Sequence, residues 1–139
     1  PQSFTVLVQE ELADRLAGAA GGPDWGALSV AVQLAYEVRG GRRVPPGAFS
    51  PRPRVDSRLA HGRLREDLAP AEERNRVREL AGALLQRRRQ MVRRVLGDHL
   101  GERARAEACL AEAGIEPEAR VQELDLGAWQ RLEAASRVR

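Results

Sequence analysis

The sequence predicts a mixed α/β part with about three strands, followed by a small all-α part, and three observations lead there. Residues 4–8, FTVLV, are an unbroken β-branched and apolar run that passes straight into the helix-patterned QEELADRLAG. Residues 36–64 hold two further strand-like runs separated by a proline-rich segment. From residue 70 onward the apolar period changes to that of helices. With 139 residues there is room for little more than one substantial core, and the reading divides the chain into 1–66 and 67–139.

FTVLV has no polar interruption, the pattern of a strand buried on both faces. In the helix that follows, Leu12 and Leu16 stand four apart and Gly18 ends the pattern. Strand followed by helix is half of a βαβ unit. AGGPD is a loop, and WGALSVAVQLAY reads as a buried helix at residues 26–36. YEVRGGRRV, residues 36–44, reads as a strand weakened by Gly40 and Gly41, and residues 54–64 as another in which RLAHGRL alternates badly. Three strands make a narrow sheet whose first member needs cover on both faces and a neighbour at its edge. The opening PQSFTVLVQ, with neither a Met nor a leader pattern, adds to the expectation of a piece of something longer.

In the helical part, Pro70 with Glu72 and Glu73 opens a helix, since proline lacks only an amide that would be unpaired there and the dipole favours acids. Val77, Leu80, Ala81, Leu84 and Leu85 form its stripe. Arg88 falls where the stripe would continue, which predicts a break at residues 86–88 and a second helix to Leu96. A third helix spans Arg103–Ala113 and stops at Gly114, and Asp125 caps a last one that carries Trp129 and Leu132.

No stretch approaches ~18 consecutive apolar residues, so a membrane span is excluded. Cys109 is alone and His61 and His99 cannot complete a ligand set, which leaves neither a disulfide nor a structural metal site and fits a reducing, cytoplasmic setting. All 23 basic residues are arginine, and their placement says more than the net charge of +3. Residues 41–65 hold seven arginines against one acid, and Arg87, Arg88, Arg89, Arg93 and Arg94 form a second excess. Two basic patches on a near-neutral chain fit a polyanion bound along a track, with solvated surface charge as the alternative.

Residues 44–57, VPPGAFSPRPRVDS, set four prolines around a single aromatic ring, Phe49. Val8-Gln9 with Glu11, Trp25-Gly26-x-Leu28-Ser29-Val30, this proline segment, Arg88-Arg89-x-x-x-Arg93 and Gly114-Ile115-x-Pro117-x-x-Arg120 together resemble, in order, the motifs of the ribosomal RNA adenine N6-dimethyltransferases. The last of them is closest to the bacterial small-subunit branch. The likeness runs through nearly the whole chain, and the proline motif is its most specific part. It departs from the family at Glu10, Gln90 and Arg94, and after Ser57, where Arg58, Ala60, His61 and Gly62 replace an apolar strand.

The resemblance implies the C-terminal part of a Rossmann-like sheet followed by a helical RNA-binding domain. It also implies an enzyme that uses S-adenosylmethionine, needs no metal and acts on rRNA of the small subunit. The family's glycine-rich cofactor turn and its Asn-Leu-Pro-Tyr motif have no counterpart here, because Gly21-Gly22 and Gly40-Gly41 lack the required spacing. The expectation is therefore that this chain alone binds no cofactor, is inactive without a cofactor-binding half, and is either part of the enzyme or a stand-alone RNA-binding or ribosome-assembly module.

Phe49 matches the family position that packs against the target adenine. An unstacked base gains about 1–3 kcal/mol on an aromatic face, and prolines on either side lower the entropy lost in holding the ring ready. Arg52 and Arg54 flank the loop, where they meet phosphates or are merely solvated. Arg88, Arg89 and Arg93 are the candidates for the RNA backbone, Arg89 and Arg93 by sharing a helical face. Asp56 and Ser57 read as turn residues, Trp25 and Trp129 as packing, the histidines as surface residues and Cys109 as an apolar filler.

Overall fold

The structure, a computed structural model, describes residues 2–48, 50–51 and 54–137. The α/β part is β1 (Ser3–Gln9), α1 (Glu10–Leu16), α2 (Ala27–Gln33), β2 (Tyr36–Val44) and β3 (Ser57–Leu64). The helical part is α3 (Ala71–Leu84), α4 (Val92–Leu100), α5 (Arg103–Ala113) and α6 (Leu126–Ser136). The sheet order is β1-β3-β2, with β3 antiparallel to both neighbours. It follows that β1 and β2 run in the same direction, joined by a helical crossover, with β3 inserted between them. The strand-then-helix reading is thus half of such a crossover.

Among the described residues, cover on the sheet is one-sided. Val6, Val8 and Val38 pack with Ala13, Leu16, Val32 and Ala60 under α1 and α2. The alternate residues of β1 face outward, and Leu7 is 45% exposed. The expected burial of this strand on both faces is therefore corrected: α1 and α2 cover only one face. Among the described residues no strand pairs with the outer edge of β1. Leu12 is corrected as well, since it is exposed. Because α1 begins at Glu10, directly off the strand, the residues turned toward the sheet are Ala13 and Leu16, three apart.

The poor alternation of β3 has a packing reason. Ala60 and Gly62 lie opposite Val6 and Phe4 in the register. A Cβ placed on Gly62 would fall within the Phe4 ring, and that ring makes an edge contact with Tyr36 at 5.1 Å between centroids. Small residues on β3 thus leave the space that Phe4 fills. On β2 the register shifts between Gly40 and Arg43, and a Cβ on Gly41 would lie 2.6 Å from His61 Nε2. The glycine pair marks a bulge seated on a neighbouring side chain.

Val77, Leu80, Ala81 and Leu84 are buried along α3, as the stripe requires. Continuing the helix would bring Arg88 into that core; instead the chain tightens into a 3₁₀ turn at Leu85–Arg87 and restarts at Val92. α4 runs past Leu96 to Leu100 and ends at Gly101, whose φ of 79° is left-handed. α5 ends in the same way at Gly114, φ 68°. Asp125 accepts a hydrogen bond from the Ala128 amide at 2.8 Å and caps α6.

The larger core gathers residues of α3 to α6 and also Trp25, Val30 and Leu34, which flank or belong to α2. Trp129 and Trp25 are both buried, and Trp25 Nε1 donates to the Leu124 carbonyl at 2.9 Å. α2 therefore has two roles: Val32 faces the sheet, and Val30 faces the helices.

Candidate nucleic-acid interface

Two places on this fold carry the residues singled out by sequence. The first is the segment between β2 and β3. It leaves the carboxyl end of β2 through a short turn at Pro46–Ala48 and returns at Asp56, beside the carboxyl end of β1. In open α/β sheets ligands gather at this end, because strand termini and helix starts converge there. Phe49 and Arg52 lie outside the described residues, as does Pro53. Their described neighbours Ala48, Ser50, Pro51, Arg54 and Val55 are exposed.

The base of the loop is tied down. The Glu10 amide donates to the Asp56 carbonyl at 2.9 Å, and the Arg43 guanidinium hydrogen-bonds Glu10 and lies 3.9 Å from the Asp56 carboxylate. Those carboxylates hold Arg43 above the ordinary arginine pKa, first through the Glu10 hydrogen bond and then through its charge, against a smaller lowering by desolvation. Beside this base, Gln9, Glu10, Asp14, Asp24, Val55 and Asp56 help line a cavity of about 310 Å³. Among the described residues no group of three or more His, Cys, Asp or Glu side chains is placed to hold a metal ion.

The second place is the junction of α3 and α4. Segment 117–122 is laced to segment 88–93 by four backbone hydrogen bonds: Gln122 to Arg88 at 2.9 Å, Val121 to Gln90 at 3.0 Å, Val92 to Ala119 at 2.7 Å and Arg93 to Pro117 at 3.3 Å. The Arg120 guanidinium adds a hydrogen bond to the Arg89 carbonyl. This lacing places Arg89, Arg93, Arg94, Arg103 and Arg120 around an open groove of about 600 Å³, against Asp98 and Glu107. Asp98 is engaged by Arg87 at 2.7 Å, and Arg93 lies 3.6 Å from Glu118. Arg89, Arg94 and Arg103 have no side-chain partner among the described residues. The groove is a basic trough with unpaired guanidinium groups, which suits phosphate oxygens.

Arg89 and Arg93 are brought together, though not by one helical face: Arg89 sits in the turn before α4, and Arg93 is in its first turn. Arg88 turns the other way, half-buried, with Nε donating to Gln122 Oε1 at 3.2 Å. Arg54 belongs to the proline loop and does not line the groove. Arg103 and Arg120, distant in sequence from the Arg87 cluster, complete the trough; the only hint of this was the motif that contains Arg120. Gln122 carried no sequence signal.

The glycine pairs weighed in the sequence make other contacts. β1 enters α1 at Gln9–Glu10 without a glycine, Gly21 and Gly22 lie in a turn whose Gly21 amide donates to Gln122, and Gly41 is seated against His61.

The chain is 41% identical to a ribosomal RNA small subunit methyltransferase A of Anaeromyxobacter dehalogenans, over 93% of its own length and 46% of the relative's. It is 35% identical to the protein of that name from Trichormus variabilis, over 94% of its own length and 48% of the relative's. The chain thus spans about half the length of these curated relatives. The fold matches the crystal structure of a Plasmodium falciparum dimethyladenosine transferase with a TM-score of 0.77 at 18% identity, covering 94% of this chain and 55% of that one. It matches the 23S rRNA methyltransferase ErmE with a TM-score of 0.67 at 25% identity, covering 96% and 54%. The sheet with its inserted antiparallel strand, the helical part and the matched motifs come together in one family profile, which covers residues 1–136: the chain belongs to the ribosomal RNA adenine dimethylase family.

Proposed function

We propose that this chain supplies the acceptor-base loop and the RNA-binding surface of a cytoplasmic enzyme that methylates N6 of adenosines in small-subunit rRNA. The observation that carries this reading is the position of the ends of the proline loop at the carboxyl ends of β1 and β2, on the same body as an arginine-lined groove. An exocyclic adenine amine has its lone pair drawn into the ring, so the base must leave its stack and be held with N6 toward the donor. Phe49 supplies the stacking face, and Arg52 and Arg54 meet the phosphates beside the flipped nucleotide. Arg89 and Arg93, joined by Arg94, Arg103 and Arg120, hold the RNA backbone in the groove.

S-adenosylmethionine supplies the methyl groups in the complete enzyme, and its site belongs to a cofactor-binding half. The unpaired edge of β1 and the open face around Leu7 are where that half packs, in keeping with the length of the relatives. A stand-alone module without catalysis is not favoured, since the matched relatives are named as methyltransferases.

The test joins this chain to the cofactor-binding half of the Anaeromyxobacter relative and assays methyl transfer to small-subunit rRNA. Dimethylated adenosine is expected from the fusion and not from the chain alone. Phe49→Ala is expected to lower kcat about 10- to 100-fold, the loss of one stacking face. A folded fusion that leaves rRNA unmodified, or S-adenosylmethionine binding by the chain alone, contradicts the reading.

A further inference from the structure

Arg88 stands next to the groove, yet its guanidinium is engaged elsewhere. Its Nε donates to Gln122 Oε1 at 3.2 Å, its carbonyl accepts from the Gln122 amide at 2.9 Å, and a Cβ on Gly26, the residue that opens α2, would lie 3.7 Å from Arg88 Nη1. Gln122 is gripped from the other side as well, because its carbonyl accepts from the Gly21 amide at 3.0 Å. Two residues on, the Leu124 carbonyl accepts from the Trp25 indole. Asp24, adjacent to Trp25, helps line the cavity at the carboxyl end of the sheet. Hydrogen bonds therefore tie Arg88, the neighbour of Arg89 in the groove, through Gln122 to residues 21–25, and Asp24 of that segment shares a cavity with the end of the sheet where the proline loop emerges.

We propose that Arg88 is a positioning residue rather than a phosphate ligand. With Gln122 it locks the joint that holds the basic groove in register with the carboxyl end of the sheet. An RNA helix seated in the groove is thereby presented to the acceptor loop at a fixed offset. This rests on the RNA reading of the groove. The bonds at the joint are neither numerous nor fully buried, so the lock is a local one, and the packing of Trp25, Val30 and Leu34 carries the bulk of the attachment.

The test measures binding of a helical small-subunit rRNA fragment over a salt series, together with amide exchange of the free chain. Arg89→Ala, which removes a groove contact, is expected to lower the slope of log K against log salt by about 0.7–0.9. Arg88→Ala is expected to keep the wild-type slope and weaken binding about three- to tenfold, the size of one charge-assisted hydrogen bond at a half-exposed site. Gln122→Ala should reproduce that loss, and the double variant should add nothing to it.

Arg88→Lys separates the two roles. It keeps a charge for phosphate but has no Nε–H for Gln122, so it is expected to behave as Arg88→Ala. In both Arg88 variants the Gly21 and Gln122 amides are expected to exchange faster while α2 keeps its protection. Rescue by Arg88→Lys, a slope lowered as in Arg89→Ala, or unchanged exchange at Gly21 overturns the proposal. If the wild-type chain shows no salt-dependent RNA binding, the RNA reading fails and takes the positioning role with it; exchange at Gly21 then tests the Arg88–Gln122 joint by itself.

Discussion

Gly62 shows how far a single residue constrains this fold. It lies under the Phe4 ring, whose position the edge contact with Tyr36 also fixes. Gly62→Ala should destabilise the chain by about 1–3 kcal/mol, because the ring must leave its place on the sheet; denaturant titration reads this directly. From the sequence, Gly62 was simply a flaw in strand alternation, since a residue that makes room for a distant ring cannot be told from one that weakens a strand. Arg43 is a second case. The stabilisation that goes with its raised pKa holds while its carboxylate partners are ionised and is lost as pH rises through the folded arginine value, so titration of Arg43 itself gives no pH dependence near neutrality. Phe49, which lies outside the described residues, was singled out for the opposite reason, because its motif is local and dense in proline.

Elements ended by local chemistry were legible, and those shaped by distant packing were not. Gly101 and Gly114 adopt the left-handed conformation that closes α4 and α5, and Asp125 caps α6 with its own carboxylate. Gly114 and Asp125 were readable at these ends because glycine and aspartate act there through their own backbone or side chain. Asp125→Ala removes the acceptor for the Ala128 amide and is expected to cost about 0.5–2 kcal/mol, seen as a lower thermal midpoint with the fold retained. The break after α3 was legible too, since an arginine in the apolar stripe cannot continue into the core. The inner face of α1 was not: two leucines at helical spacing outweighed Ala13, and only the entry of the chain from β1 decides which side meets the sheet. Likewise Arg89 and Arg93 met across a turn that their spacing did not disclose.

At the scale of the molecule, the joining of the two parts was the least legible feature. Trp25, Val30 and Leu34 lie well before residue 66, yet their partners are helices beyond it. A core built from segments so far apart in the chain leaves no periodic trace. That union places the arginine groove and the described flanks of the proline loop on one body, as the proposed function requires. Arg89, Arg94 and Arg103, which have no side-chain partner among the described residues, make the proposal measurable without the cofactor-binding half. The most direct measurement is the salt dependence of binding to a helical small-subunit rRNA fragment, for the wild type, Arg89→Ala/Arg103→Ala and the control Arg15→Ala on α1. Binding should weaken steeply with salt, with the slope about 1.4–1.8 shallower in the double variant and unchanged in the control. Equal slopes in all three proteins would contradict the assignment of the groove to RNA.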